Sequence, residues 1–169
     1  MKKGRIGIIK GDITTLEADA IVNAANSSLI GGGGVDGAIH RAAGPGLLDE
    51  CIKIGGCEVG EARLTGGYEL KAGHIIHTVG PVWQGGINDE HALLAACYQS
   101  SLKIAKENKF RTIAFPGIST GVYGFPKDQA ANIAVTETKR FLKKSDFPEI
   151  VIFIAFDDEN YNIYQKLLS

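Results

Sequence analysis

Paired cysteines are missing from this 169-residue chain: Cys51, Cys57 and Cys97 are odd in number and form no C-x-x-C pair, which supports neither a disulfide framework nor a zinc ribbon. Net charge is missing as well. Lysine and arginine number 18 against 19 aspartates and glutamates, and the basic residues are scattered, so the footprint of a nucleic-acid binder is absent. No apolar run reaches transmembrane length, and no membrane partner is expected. The apolar stretch in MKKGRIGIIKGD is cut by Lys10 and Asp12 too early for a signal peptide, and the chain reads as cytoplasmic. No linker or internal repeat divides it. With 44% hydrophobic residues, enough to build a core without staples, the expectation is a single domain over residues 1–169. Metal-ligand spacing is also lacking. His74 and His77 stand three apart on a strand and point to opposite faces, so all four histidines are read as structural or incidental, and no metal or cofactor is expected.

What is present alternates between strand and helix signals. Apolar runs at Arg5–Lys10, Ala20–Ala24, Ala62–Tyr68, His74–Val79, Thr112–Phe115 and Val151–Phe156 read as strands, the last a central one covered on both faces. Helical spacing falls at 38–43, 47–54, 89–106, 126–142 and 160–168, with Pro45 and Pro126 suited to first turns. Cys97 then sits among core positions. Closely spaced early strands and a strand–helix alternation later predict an α/β fold with a mixed, mostly parallel sheet and helices on both sides. In such a sheet the loops leaving the carboxyl ends of strands gather at one edge and form a ligand crevice. Asp12, the segment 26–36, the segment 119–124 and the residues after Phe156 all leave strands in this way.

The densest of these segments is NAANSSLIGGGGVDGAIHRAAG, residues 23–44. Four consecutive glycines, Gly31 to Gly34, exceed what a simple connection requires and suit close backbone approach to a flat or anionic group such as a sugar or phosphate. Asp36 follows, next to the expected helix start. It reads either as a capping carboxylate or as a carboxylate at the mouth of a glycine-lined site, where it could orient or deprotonate a water. Asp12 has the same two readings, as the cap of a short helical turn or as a ligand contact at a strand end.

The second informative loop is GISTGVYG, residues 117–124, whose glycines and hydroxyls after a buried strand suit an anion nest for a diphosphate. It lacks the lysine of an ATP-binding loop, and neither loop carries the dinucleotide pattern, so phosphoryl and hydride transfer are disfavoured. Gly117 to Gly121 does match G-x-S-x-G, the elbow of serine hydrolases, with Ser119 as nucleophile. Against this, the loop runs on through Phe125 where a helix should begin, and the last histidine, His91, precedes the serine. Tyr123, Phe125 and Phe156 are aromatic candidates near the crevice, and Phe156 is favoured for an adenine face.

Five motifs, GDIT at 11–14, IVNAAN at 21–26, GGGGVDGAIHRAAG at 31–44, HTVGPVW at 77–83 and GISTGVYGFP at 117–126, stand in the order found in macrodomains. The sequence resembles that family, and within it the MacroD-type group that includes bacterial O-acetyl-ADP-ribose deacetylases. The resemblance implies a three-layer α/β/α macrodomain that binds ADP-ribose. Asp12 and the Ile13 N–H would read adenine, Asn26, Gly34 and Val35 would hold the distal ribose, and Ser119, Thr120, Gly121, Val122 and Tyr123 would wrap the diphosphate and that ribose. Asp36 and Asn26 would be the catalytic pair. The implied reaction is metal-free hydrolysis of an ester at the distal ribose, releasing acetate from O-acetyl-ADP-ribose or ADP-ribose from a mono-ADP-ribosylated Asp or Glu of a protein. In one account Asp36 is the general base; in the other a substrate phosphate positions the water. The alternatives are a non-enzymatic ADP-ribose reader and, more remotely, a serine hydrolase.

Overall fold

In the computed structural model, which describes residues 4–169, alternating apolar side chains create a sheet with two buried faces. The first three residues of MKKGRIGIIKGD lie outside the described residues. Strands β1 (Ile6–Lys10), β2 (Ala20–Ala24), β3 (Ala62–Gly66), β4 (His74–Thr78), β5 (Thr112–Phe115) and β6 (Ile150–Ala155) form one sheet in the order β1-β6-β5-β2-β4-β3. Every pairing is parallel except β3 with β4.

Side-chain alternation assigns the two layers. Ile21, Ile75, Ala114 and Ile154 face helices α1 (Gly34–Ala43) and α2 (Pro45–Ile54), meeting Ile39, Ala43, Leu47 and Cys51. Val22, Ile76, Ile113, Phe115 and Phe153 face the other way, against α3 (Glu90–Glu107), α4 (Lys127–Leu142) and α5 (Asp158–Leu168). Tyr98 of α3, Phe115 and Phe153 are 1% exposed or less, and burying each such ring contributes about 1.5–3 kcal/mol. Cys97 belongs to this second layer as a core thiol. The architecture is the expected three-layer α/β/α sandwich with a mixed, mostly parallel sheet.

Several boundaries differ from the sequence expectation. Helix α1 begins at Gly34, not Ala38, because Gly33 in an extended conformation serves as N-cap and the Gly37 N–H donates to the Gly33 carbonyl at 3.2 Å. Asp36 is therefore inside the first turn and is not the cap. Strand β3 stops at Gly66, since Gly67 enters a turn and Tyr68 has a φ of +52°. Pro126 is the N-cap of α4 and not part of its first turn. Strand β6 ends at Ala155, which leaves Phe156 outside the sheet. Among the described residues no helix is long and apolar enough to cross a membrane.

Candidate functional site

The carboxyl ends of β1, β2, β5 and β6 lie at one edge, and the loops leaving them meet there. At one end of this edge Asp12 caps a 3₁₀ turn, Ile13–Thr15, accepting from the Thr14 N–H at 2.9 Å and the Thr14 hydroxyl at 2.7 Å through Oδ1. Both readings of Asp12 survive, because its second carboxylate oxygen makes no hydrogen bond among the described residues. Ile13 is buried beneath the turn. The Gly11 N–H donates to the Ala155 carbonyl at 3.0 Å, which sets the Asp12 turn beside Phe156, whose side chain is 83% exposed.

The glycine tract forms the centre. Asn26 holds it in shape: Nδ2 donates to the Gly31 carbonyl at 2.7 Å, while Oδ1 accepts from the Ser28 hydroxyl at 2.6 Å and the Leu29 N–H at 3.1 Å. One Asn26 hydrogen is left for another partner. Gly31 and Gly34 have positive φ, +96° and +57°, a region that residues with a Cβ enter only with strain. Gly32 is needed for a different reason. A Cβ there would lie 3.2 Å from Asp36 Oδ2 and 3.3 Å from Asn26 Nδ2, so both polar groups face the same bare backbone. Asp36 is 5% exposed, in the first turn of α1, where free N–H groups favour negative charge. Val35 is half-buried on the same turn.

Because β5 pairs with β2 in parallel, the loop after β5 leaves the sheet beside the glycine tract. Ser119 has a φ of +64°, and its carbonyl accepts from the Phe125 N–H at 2.9 Å, closing the loop. The Thr120 hydroxyl donates to the Gly117 carbonyl at 3.1 Å, and the Trp83 N–H donates to the Tyr123 carbonyl at 2.8 Å. Backbone N–H groups from Ser119 to Tyr123 donate to no group among the described residues, the arrangement an anion nest requires. Gly121 and Val122 are exposed at the rim. Trp83 opens a loop fastened by the buried Glu90 carboxylate, which accepts from the N–H groups of Gln84 at 2.7 Å, Gly86 at 2.8 Å and Asn88 at 2.5 Å. The Ser119 hydroxyl is buried with no hydrogen-bond partner among the described residues, so the nucleophile of a serine hydrolase would have no base. Phe125 is buried against Trp83, a packing residue and not a ligand face.

Behind Asp36 lie two of the histidines expected to be structural or incidental, together with Asn23 and Thr65. His40, one turn along α1, places Nε2 3.5 Å from Asp36 Oδ1. Asn23 Nδ2 donates to the same Oδ1 at 2.8 Å and lies 3.1 Å from His77 Nδ1, while His77 Nε2 is 2.8 Å from the Thr65 hydroxyl. Burial, reinforced by the proximity of His40, lowers the His77 pKa from 6.5 to about 3, so the ring is neutral. Two of the four histidines thus lie beside Asp36 or its hydrogen-bond partner Asn23. The i, i+4 spacing of Asp36 and His40 was the available signal for one of them. Among the described residues no group of three or more His, Cys, Asp or Glu side chains is placed to hold a metal ion.

Comparisons with known proteins agree with this architecture. A family model described as Macro domain matches residues 22–134. The chain is 58% identical over 167 residues to the ADP-ribose glycohydrolase MACROD2 of Xenopus laevis, an alignment covering 98% of this chain and 40% of that protein. It is 51% identical over 171 residues to the O-acetyl-ADP-ribose deacetylase of Escherichia coli, covering 99% of this chain and 97% of that one. The crystal structure of a Trypanosoma brucei macrodomain in complex with ADP-ribose superposes with a TM-score of 0.92 at 46% identity, over 98% of this chain and 69% of that chain. The chain belongs to the macrodomain family.

Proposed function

We propose that this chain works as a single macrodomain that binds ADP-ribose or O-acetyl-ADP-ribose across the loops at the sheet edge and hydrolyses an ester at the distal ribose. The observation that carries this reading is the convergence of Asp36 Oδ2 and Asn26 Nδ2 on the bare backbone of Gly32, in the loop after β2, the strand next to the one whose loop has unspent N–H groups. Adenine lies between Asp12, the Ile13 N–H and Phe156. The diphosphate takes the N–H groups of Ser119 to Tyr123, and the distal ribose sits against Asn26, Gly34, Val35 and Asp36. Water adds to the ester carbonyl carbon, the bond to the ribose oxygen breaks, and Asp36 takes the proton from water and passes it to that oxygen. Acetate leaves in one case; a freed Asp or Glu side chain of a mono-ADP-ribosylated protein leaves in the other. Similarity to a protein named O-acetyl-ADP-ribose deacetylase supports the acetyl ester as substrate, and similarity to one named ADP-ribose glycohydrolase supports hydrolysis of an ADP-ribose derivative more generally. Cys51, Cys57 and Cys97 are free and buried, which suits the reducing cytoplasm.

The test is hydrolysis of O-acetyl-ADP-ribose and of a Glu-linked ADP-ribosylated protein by wild type and Asp36→Ala, with ADP-ribose binding measured by calorimetry. A positioned general base typically contributes about 10²–10⁴-fold, so kcat should fall by that order while affinity changes little. Binding by both proteins with hydrolysis by neither would make this a reader in which Asp36 is a ribose clamp.

A further inference from the structure

Across the α1–α2 face of the sheet runs a row of polar side chains in an otherwise apolar layer. Asn23 of β2 and His77 of β4 are register partners, both fully buried, and Thr65 of β3 is 2% exposed on the same face. Their neighbours on this side are Ile21, Ile75, Ile39 and Leu47.

The hydrogen-bond roles in the row are determined by one amide. Asn23 Nδ2 can only donate, so the His77 Nδ1 beside it accepts and the ring proton is on Nε2. That Nε2–H donates to the Thr65 hydroxyl, which donates in turn to the Gly66 carbonyl at 3.1 Å. The other hydrogen on Asn23 Nδ2 goes to Asp36 Oδ1. Exchanging the amide oxygen and nitrogen would switch His77 to its other tautomer and, decisively, aim a carbonyl at the Asp36 carboxylate. Only one orientation works, and Asp36 Oδ1 is its end point.

The row is a poor choice for stability alone. Asn23 Oδ1 is buried without a hydrogen-bond partner among the described residues, and well-packed apolar side chains in such places are often the more stable solution. Its benefit lies at Asp36. With Oδ1 held, rotation of the carboxylate about its terminal torsion is restrained, and Oδ2 is directed at the Gly32 backbone and Asn26.

We infer that Asn23, fixed by His77 and Thr65, is a positioning residue that holds Asp36 Oδ2 toward the bound ribose and water throughout turnover. This rests on the hydrolase reading above. Asn23 is fully buried and offers no surface to a ligand in the crevice, and the proposed ligand binding is spread over Asp12, Phe156 and the loop at 119–123. Its removal therefore acts on kcat and spares KM.

The experiment compares wild type, Asp36→Ala, Asn23→Ala, His77→Leu and His77→Gln in steady-state hydrolysis of O-acetyl-ADP-ribose, with ADP-ribose affinity and thermal melting measured on each. Misplacing a reacting group by about 1 Å costs on the order of 100-fold, so kcat of Asn23→Ala should fall roughly 10- to 100-fold with KM and affinity within about threefold. Glutamine offers both an acceptor and a donor and should recover most of the rate that His77→Leu loses. If His77→Leu does not fold, Asn23→Ala and His77→Gln still decide. A folded Asn23→Ala with wild-type kcat overturns the positioning role, as does a rate in His77→Gln as low as in Asn23→Ala. An inactive wild type that still binds ADP-ribose overturns the hydrolase reading itself, and this inference with it.

Discussion

The Ser119 hydroxyl occupies the space where a Cβ on Gly80 would stand, and Ile118 Cγ2 lies 2.7 Å from the same position. Ser119 holds its positive φ at the turn of the proposed diphosphate loop, so Gly80 determines where that loop rests. Gly80→Ala should push the loop outward, costing about 1–3 kcal/mol of stability as an overpacked site does. ADP-ribose affinity should drop roughly tenfold or more, which corresponds to about 1.4 kcal/mol per decade. Adding Ser119→Gly removes the obstructing hydroxyl and relieves the positive φ, so the double variant should be more stable than Gly80→Ala alone. Thermal melts and calorimetry on the two single variants and the double variant check this.

His77 makes stability depend on pH in a specific direction. Burial and His40 lower its pKa from 6.5 to about 3, so between those values the unfolded chain takes up a proton that the folded chain refuses. Stability is then complete above the unfolded value and falls as the pH drops through the window. From about pH 7 to about pH 5 this one group removes about 2 kcal/mol. Urea unfolding of wild type across that range, set against His77→Gln, measures it: the variant should lose about 2 kcal/mol less. Equal losses would assign the acid sensitivity to other groups.

The sheet and its helices were legible because apolar periodicity reports burial directly, and Ile21 against Val22 already separates the two faces. Asp36 is legible as a residue type in a glycine-rich context, yet helical spacing alone puts the start of its helix at Ala38, four residues beyond Gly34. Four glycines in a row carry no helical signal of their own, although Gly33 caps the helix and Gly34 begins its first turn. With the helix placed correctly, His40 falls one turn from Asp36. Asn23 and His77 are 54 residues apart, and their contact follows from β2 lying beside β4, a strand pairing that no local pattern encodes. Alternation on a single strand, which sent His74 and His77 to opposite faces, was correct but could not say what His77 would meet.

Adjacent glycines in the tract should respond in opposite ways. Gly33 is extended, and a Cβ there meets nothing within 4 Å, so Gly33→Ala should cost only the poorer N-cap, about 1 kcal/mol or less, and leave activity intact. Gly32→Ala would insert a methyl between Asp36 Oδ2 and Asn26 Nδ2, in the space proposed for the ribose. Its kcat/KM should fall about tenfold or more while the melting temperature changes little. If both variants kept full activity, the reacting ribose would have to lie elsewhere along the edge.

Phe156 tests the far end of the proposed ligand. It is 83% exposed just beyond β6, so its ring contributes little to the folded state and is free to meet a flat partner. Stacking a base on an aromatic ring is worth about 1–3 kcal/mol, so Phe156→Ala should weaken ADP-ribose binding roughly 5- to 150-fold with no change in melting temperature. Phe156→Tyr should bind like wild type. The position of the loss matters as much as its size. ADP carries the adenine and ribose 5-phosphate does not, so the substitution should weaken ADP in parallel with ADP-ribose and leave ribose 5-phosphate untouched. A loss shared by all three ligands would mean that Phe156 shapes the loops generally, and the adenine would then have to rest on the Asp12 turn alone.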